Sequence, residues 1–202
     1  MAELTGKILA GRYRIDEKLG SGGMSEVYRV WDTKRNTNLA IKLLHESLAL
    51  DPVFIRRFQR EAETLSTLQH PHIVRFYSLE EDDLLAFILM DFIDGSTLQH
   101  EIRRLKGQPM PGERILDIFE PVCSALNYAH SEGFVHCDIK PGNIMIDKKG
   151  TVFLADFGIA RMTESATVTL AGAGTPAYMA PEQILGQEPV PQTDIYALGV
   201  IL

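Results

Sequence analysis

The sequence predicts an α+β protein with two lobes, a small β-rich lobe with one long helix and a mainly helical second lobe. Before position 94, the β-branched and aromatic runs 27–31 and 39–44 are typical of strands. The only helical spacing of apolar residues in that half runs from Phe54 to Leu68. Beyond Asp94-Gly95, an amphipathic pattern predicts a long helix that ends at Gly133.

The first lobe begins with a strand over residues 13–19, and the glycine cluster 20–23 follows it. Because residues 27–31 continue as a strand, the glycines are predicted to form a hairpin turn. Asp51 and Pro52 are typical of the cap and first position of the lobe's helix. Two further strands are predicted at 73–79 and 84–90, separated by an acidic turn at 80–83.

The second lobe is dominated by the long helix, in which Pro121 predicts a local kink or a loosened turn. Two short strands are predicted after it, at residues 144–146 and 152–154. The sequence therefore places a polar segment, residues 136–143, between the helix and these strands.

Composition excludes several classes of protein. The 202 residues are 45% hydrophobic and 23% charged, which is typical of a globular chain. Twenty Lys and Arg against 27 Asp and Glu give 20 − 27 = −7, which argues against nucleic acid as a partner. The two cysteines, Cys123 and Cys137, are not a disulfide framework, and no signal or membrane-spanning pattern is found, so a cytoplasmic location is expected.

The segment 136–143 combines an acid, a base and an amide within a few residues. Asp138, Lys140 and Asn143 lie in it, and Asp156 follows the two short strands. Carboxylate and amide oxygens are hard ligands that suit Mg²⁺, and Asp138 can accept a proton from a hydroxyl nucleophile. A zinc site at His136 and Cys137 is a weaker interpretation, because no second ligand pair accompanies them.

Two features of the first lobe have an ordinary and a functional interpretation. The glycine cluster is either a plain turn or a flap whose backbone N–H groups approach phosphate oxygens. Lys42 either extends its ammonium to water, or forms an ion pair with Glu61 and binds a polyphosphate. Taken alone, these residues leave both alternatives open.

Taken together, the motifs resemble the catalytic domain of eukaryotic-type Ser/Thr protein kinases, and bacterial members most of all. The resemblance runs from Tyr13 to Leu202. It implies a bilobal protein-kinase fold, with an N-lobe at 1–94, a hinge at about 90–94 and a C-lobe at 95–202. It also implies transfer of the ATP γ-phosphate to protein Ser and Thr hydroxyls, with Mg²⁺ or alternatively Mn²⁺.

The resemblance assigns a role to each motif. Asp138 would be the catalytic base, Lys140 the γ-phosphate contact, and Asn143 and Asp156 the metal ligands. Residues 174–182 would be the substrate-docking segment, and Asp194 a buried acid that begins a central helix. The expected nucleotide-binding residues are Leu19, Gly20, Ser21, Gly22, Gly23, Met24, Ser25, Val27, Ala40, Lys42, Glu61, Met90, Asp91, Ile93 and Met145.

The chain departs from the family pattern in two ways. Cys137 replaces an arginine that commonly pairs with a phosphate, although Thr167 and Thr169 lie where autophosphorylation is expected. The family also continues beyond Leu202 with further helices, and some bacterial relatives are membrane-anchored. The resemblance therefore implies a C-terminally truncated domain that is inactive or weakly active by itself and that self-associates.

Two other functions compete with the kinase interpretation. One is a catalytically inactive binding module of the same fold, which the intact set of Lys42, Glu61, Asp138, Asn143 and Asp156 disfavours. The other is a small-molecule phosphotransferase of related fold, which the peptide-docking segment at 175–182 disfavours.

Overall fold

The chain folds into two compact units, the first formed by residues 1–67 with 75–92 and the second by 68–74 with 93–202. The computed structural model describes residues 4–22, 25–44, 55, 59, 65–82, 85–157 and 176–202. None of the described helices combines the length and apolar character that a bilayer crossing requires.

The first unit is built on a six-stranded antiparallel sheet with strand order β1-β2-β3-β4-β6-β5. On β3, Tyr28, Val30 and Asp32 are buried and alternate with half-buried residues, as a strand with one face on the core requires. Tyr13, Ile41 and Phe87 are among the fully buried side chains of this core. The strands are β1 (Ile8–Leu9), β2 (Tyr13–Ser21), β3 (Ser25–Asp32), β4 (Thr37–Leu44), β5 (Phe76–Asp82) and β6 (Leu85–Asp91).

A buried carboxylate fixes the loop after β3. Asp32 has no exposed side-chain surface, and Arg12 binds it with two parallel hydrogen bonds of 2.8 and 2.7 Å. The backbone N–H groups of Lys34 and Arg35 also donate to its Oδ1. The Arg12 guanidinium therefore lowers the pKa of Asp32 to about 2.

The strand predicted at 73–79 is partly wrong, and the acidic turn predicted at 80–83 is wrong for residues 80–82, whereas Asp83 lies outside the described residues. Strand β5 begins at Phe76 and continues through Asp82. The acidic side chains have partners there: Glu80 accepts a 2.7 Å hydrogen bond from the Tyr13 hydroxyl, and Asp82 accepts one of 2.6 Å from the Ala10 amide. Ile73 is not part of this strand. It belongs to the second unit, where it forms a parallel bridge with Leu154.

The helix predicted to begin at Asp51 and Pro52 lies mostly outside the described residues. Ile55, Gln59 and Leu65 are helical, and Leu65 is buried. Phe54, Phe58 and Ala62 lie outside the described residues.

The second unit contains a three-stranded sheet and four described α-helices. Helix α2 (Gly112–Ser131) is the long amphipathic helix, and Pro121 lies inside it. The other helices are α1 (Leu98–Arg104), α3 (Pro181–Ile184) and α4 (Pro191–Ile201), and the sheet order is β7-β8-β9. The two strands predicted near residues 144–146 and 152–154 are confirmed as β8 (Ile144–Asp147) and β9 (Val152–Leu154).

Strand β7 (Gly95–Thr97) approaches β8 more closely than any side chain would allow. A Cβ atom at Gly95 would lie 1.9 Å from the carbonyl oxygen of Ile146. Gly95 is therefore required for β7 to pair with β8.

Candidate active site

The hairpin of β8 and β9 places Asn143 next to the residue before Asp156. Ile144 pairs with Leu154 in the antiparallel register, and one step further the Ala155 amide donates to the Asn143 carbonyl at 2.8 Å. Asn143 and Asp156 therefore flank the same end of the hairpin, although 13 positions separate them in the sequence. Asp156 has φ +63°, a left-handed conformation that is uncommon for a residue with a side chain.

The described donors to the Asp138 carboxylate all bind the same one of its two oxygens. Lys140 Nζ lies 2.6 Å from Oδ2 of Asp138, and Asn143 Nδ2 donates to the same oxygen at 3.0 Å. Asn143 Nδ2 also donates to the Asp138 carbonyl at 2.8 Å. No described residue donates to Oδ1, so this oxygen can accept a proton from a hydroxyl group.

His136 holds the backbone that leads into Asp138. The Asp138 amide donates to His136 Nδ1 at 3.2 Å, so the proton of the neutral ring lies on Nε2, which donates to the Ala155 carbonyl at 2.8 Å. The buried ring also contacts Phe157, with centroids 4.5 Å apart. His136 therefore links the segment before Asp138 to the segment before Asp156.

Asp194 binds the backbone of the same segment from α4. Its Oδ2 accepts from the His136 amide at 2.8 Å, and its Oδ1 accepts from the Cys137 amide at 2.9 Å. His130 Nε2 lies 2.7 Å from Oδ2. Asp194 is 1% exposed, so these donors satisfy a carboxylate that burial would otherwise penalise strongly. This agrees with the buried acid that the resemblance implies.

Cys137 adopts the left-handed conformation, with φ +68°, between the two anchored residues. Its carbonyl accepts a 2.8 Å hydrogen bond from Gln183 Nε2 on α3. The adjacent Glu182 accepts a 2.6 Å hydrogen bond from Thr193 on α4, which lowers the pKa of Glu182. The sequence pattern did not identify Gln183, Thr193 or His130 as parts of the site, because their contacts are with residues far away in the sequence.

In the first unit, several expected nucleotide-binding residues share one face of the sheet. Val27 pairs with Lys42, and Ala40 pairs with Met90. Directly opposed residues project from the same face, and Lys42 and Ala40 lie two positions apart on β4. This arrangement brings Val27, Ala40, Lys42 and Met90 together.

The glycine cluster lies at the end of the β2–β3 hairpin, as the strand pattern indicates. Leu19, Gly20 and Ser21 belong to β2, Gly20 pairs with Val27, and the Gly22 amide donates to the Ser25 carbonyl at 2.8 Å. The hairpin is buttressed by the buried Glu26, which contacts Lys18 and the Tyr28 hydroxyl.

The remaining expected residues are distributed over both units. Asp91 ends β6 and accepts a 2.7 Å hydrogen bond from Tyr77, whereas Ile93 and Met145 belong to the second unit. Gly23, Met24 and Glu61 lie outside the described residues, as do Thr167 and Thr169. The ion pair between Lys42 and Glu61 therefore stays a prediction.

The oxygens of Asn143 and Asp156 fit a hard divalent cation such as Mg²⁺, which takes few protein ligands and completes its shell with water and phosphate. Within the described residues, no group of three or more His, Cys, Asp and Glu side chains could hold a metal ion. A closed site of the kind that structural zinc requires is therefore not found in this part of the chain.

Comparison with known proteins identifies the family. The family model described as "Protein kinase domain" matches residues 13–202. The chain belongs to the protein kinase family. The chain is 42% identical over 201 residues to the serine/threonine-protein kinase PrkC of Bacillus subtilis, and 41% identical over 202 residues to PknB of Mycobacterium tuberculosis.

The kinase fold is also confirmed by solved structures. The crystal structure of the Mycobacterium tuberculosis PknI kinase domain matches with a TM-score of 0.80 and 34% identity, covering 99% of this chain and 74% of that one. The match to PrkC covers 98% of this chain but 31% of PrkC, and the match to PknB covers 96% and 32%. The chain thus spans about a third of the length of these curated relatives.

Proposed function

We propose that the chain is the ATP-dependent catalytic part of a Ser/Thr protein kinase. The observation that supports this most directly is the asymmetry of the Asp138 carboxylate: Lys140 and Asn143 hold Oδ2, while no described residue donates to Oδ1. A fixed carboxylate with one open oxygen is suited to accept the proton of a substrate hydroxyl.

Asp138 and the residues around it have different roles in phosphoryl transfer. Oδ1 of Asp138 orients the Ser or Thr hydroxyl and takes its proton as the oxygen attacks the γ-phosphorus. The bond from the γ-phosphorus to the β–γ bridging oxygen breaks in the same step, and ADP leaves with its electron pair. The Lys140 ammonium, 2.6 Å from Oδ2, stabilises the negative charge on the transferring group. His136 and Asp194 keep the backbone of this segment fixed, so that little reorganisation accompanies the reaction.

The nucleotide is held by the residues that the kinase family pattern assigns to it, Ile93 and Met145 among them. Backbone groups at 90–93 pair with adenine, the glycine cluster 20–25 covers the phosphates, and Lys42 binds the α- and β-phosphates in an ion pair with Glu61. Asn143 and Asp156 hold Mg²⁺, for which Mn²⁺ can substitute. When bound, the ion neutralises phosphate charge.

The partners follow from this activity. Protein substrates with Ser or Thr bind along residues 174–182, and autophosphorylation occurs at Thr167 and Thr169. The net charge of −7 does not favour nucleic acid. The chain has only two cysteines, too few for a disulfide framework, and we place this part of the protein in the cytoplasm on that ground.

Self-association stays a prediction. Several large apolar side chains on or next to α3 and α4 are exposed in this chain, including Leu185 at 70% and Ile195 at 54%. Exposed apolar surface of this kind is typical of interfaces. Light scattering on residues 1–202 and on the full-length protein measures whether the association occurs and which form shows it.

The test of the proposed function is transfer of labelled phosphate from ATP by the full-length protein. Generic protein substrates and an aminoglycoside are supplied in parallel, and mass spectrometry locates the phosphate. Label on protein Ser and Thr, lost in Asp156→Asn, supports the proposal. Label on the aminoglycoside alone would indicate a small-molecule phosphotransferase, and ATP binding without any transfer would indicate an inactive binding module.

A further inference from the structure

Cys137, the residue just before Asp138, has its backbone N–H and its backbone carbonyl each bound by a side chain from a different helix. Cys137 donates its N–H to Asp194 Oδ1 at 2.9 Å, and its carbonyl accepts from Gln183 Nε2 at 2.8 Å. Because φ of Cys137 is +68°, this backbone conformation is sparsely populated in an unrestrained chain and needs such contacts to persist.

Gln183 uses both ends of its amide for backbone contacts. While Nε2 donates to the Cys137 carbonyl, Oε1 accepts from the amide of Ala180 at 3.1 Å. The backbone N–H of Gln183 also donates to the Ala180 carbonyl at 3.0 Å. One side chain thus connects the segment at Ala180, which is fully buried, to the residue that precedes the base. Among uncharged side chains of this length, only an amide both donates and accepts in this way.

The contact from Gln183 belongs to a closed ring of hydrogen bonds. Glu182, its neighbour on α3, accepts from Thr193 at 2.6 Å, and Thr193 is followed on α4 by Asp194. Asp194 accepts from the backbone N–H of Cys137, and the ring closes at this residue because Gln183 binds its carbonyl. Helix α3 therefore cannot shift relative to α4 or to Cys137 without breaking one of these bonds.

We propose that Gln183 is a positioning residue that sets the orientation of Asp138 through the Cys137 carbonyl. This inference rests on the proposed function, because it names what orients the base. Residues 176–180 lie directly before α3. A peptide bound there therefore influences the orientation of Asp138 through the side-chain amide of Gln183. Losing the donor therefore lowers the turnover number more than it changes the affinity for ATP.

The variant Gln183→Glu removes the Nε2 donor but keeps the contact of the side chain with the Ala180 amide at the start of α3. The carboxylate still accepts from the Ala180 amide but cannot donate to the Cys137 carbonyl, whereas Gln183→Met loses both bonds. Gln187→Glu is the matched control, because it introduces the same charge at an exposed position close by. All variants are made in the full-length protein.

Kinetics are measured with a generic protein substrate. In Gln183→Glu we expect kcat to fall about tenfold to a hundredfold, as misplacement of a reacting group typically costs. The KM for ATP should stay within about twofold of the wild-type value, because ATP binding does not involve this amide. Gln187→Glu should match the wild type in both parameters.

The pH dependence separates positioning from a merely structural role. The carboxyl group introduced by Gln183→Glu regains an O–H donor when it is protonated, so the ratio of variant to wild-type kcat should rise as pH is lowered from about 7 to about 4.5, close to the ordinary glutamate pKa of about 4.3. The carboxyl groups in the ring are Glu182 and Asp194, and His130 contacts Asp194. Gln183→Met has no group to titrate, so its ratio should stay flat.

Hydrogen exchange of the amides of Cys137 and Asp138 tests the geometry independently of activity. We expect faster exchange in Gln183→Glu than in wild type and Gln187→Glu. Unchanged exchange, or unchanged kcat in an active enzyme, would overturn the inference. Faster exchange in Gln183→Glu, when the wild-type protein itself shows no phosphotransfer, would support the positioning contact and reject the proposed function instead. A kcat loss that is flat in pH and accompanied by a lower Tm would show that Gln183 acts only as a cap.

Discussion

Lys140 Nζ lies 2.6 Å from Oδ2 of Asp138, two positions earlier in the chain. The pair leaves the other carboxylate oxygen open, so that a cation and a proton acceptor lie side by side. In a kinase, this places positive charge near the phosphoryl group and the acceptor near the attacking hydroxyl.

Replacing Lys140 tests the role of that charge. Lys140→Met should lower kcat by roughly 10²–10³, because one donor to a developing negative charge typically contributes that much. Lys140→Arg should retain part of the activity, since it keeps the charge. Lys148→Met is the control, because Lys148 is 74% exposed and pairs with Asp94 at the surface. Turnover of Lys140→Met within about threefold of the wild type would contradict the assignment.

The ion pair between the half-buried Arg12 and the buried Asp32 predicts a specific loss of stability in acid. Because the pKa of Asp32 is lowered from 3.8 to about 2, its contribution is complete above the unfolded-state value and is lost as pH falls from about 4 to about 2. Asp32→Asn should therefore lower the free energy of unfolding at pH 7 by about 1–2 kcal/mol, and this difference should shrink in acid.

Denaturant titrations of wild type and Asp32→Asn at several pH values measure this difference. The matched control is Asp16→Asn, which removes the partner of Arg14, whose side chain is 51% exposed. An exposed pair of this kind contributes little, so the control should change the unfolding free energy by less than about 0.5 kcal/mol. A difference for Asp32→Asn that is constant between about pH 7 and about pH 2 would refute the explanation.

Gly95→Ala should destabilise the protein. Its Cβ would lie 1.9 Å from the Ile146 carbonyl oxygen, so the β7–β8 pairing must open. We expect a loss of about 1–3 kcal/mol, as for other overpacked sites. Gly199→Ala on α4 is the control: a Cβ there meets nothing within 4 Å, and alanine favours helix. The melting temperatures of the two variants are compared with that of the wild type. An unchanged value for Gly95→Ala would show that β7 and β8 can separate without loss of stability.

Regulation by phosphorylation should be weaker here than in relatives that carry an arginine at the position of Cys137. A phosphate at Thr167 or Thr169 needs a cation to order its segment, and the thiol of Cys137 cannot supply one. We expect the double variant Thr167→Ala/Thr169→Ala to lose less activity in the native background than in a Cys137→Arg background. Phosphotransfer assays on all four proteins make the comparison, and a native-background loss at least as large as the other would show that the switch does not depend on position 137.

For the candidate site, the sequence predicted best the contacts between residues that are close together in the chain. Asp138, Lys140 and Asn143 lie within six positions, and they do converge on one carboxylate. The contact between Gln183 and Cys137 joins residues 46 positions apart, and it depends on the left-handed turn at Cys137, which no local pattern predicts for a cysteine. Such contacts arise only when the tertiary fold brings the helices together.

The same reasoning explains the misplaced strand. Acidic residues are rare in strands, so residues 80–83 favoured a turn by composition. In the structure, Glu80 accepts from Tyr13, 67 positions away, and Asp82 accepts from Ala10, 72 positions away. These distant donors compensate for the weak strand propensity of the segment. Conversely, the strand predicted at 27–31 is confirmed within β3, because its β-branched and aromatic residues favour a strand through a local property of the sequence.

The central claim is that Asp138 accepts the proton of the substrate hydroxyl, and Asp138→Asn in the full-length protein tests it most directly. Phosphotransfer to a protein substrate should fall by about 10²–10⁴, the usual contribution of a general base, while calorimetric ATP affinity stays within about twofold. Asp117→Asn, at an exposed position on α2, should leave both quantities unchanged. Near wild-type turnover in Asp138→Asn, with ATP still bound, would contradict the account.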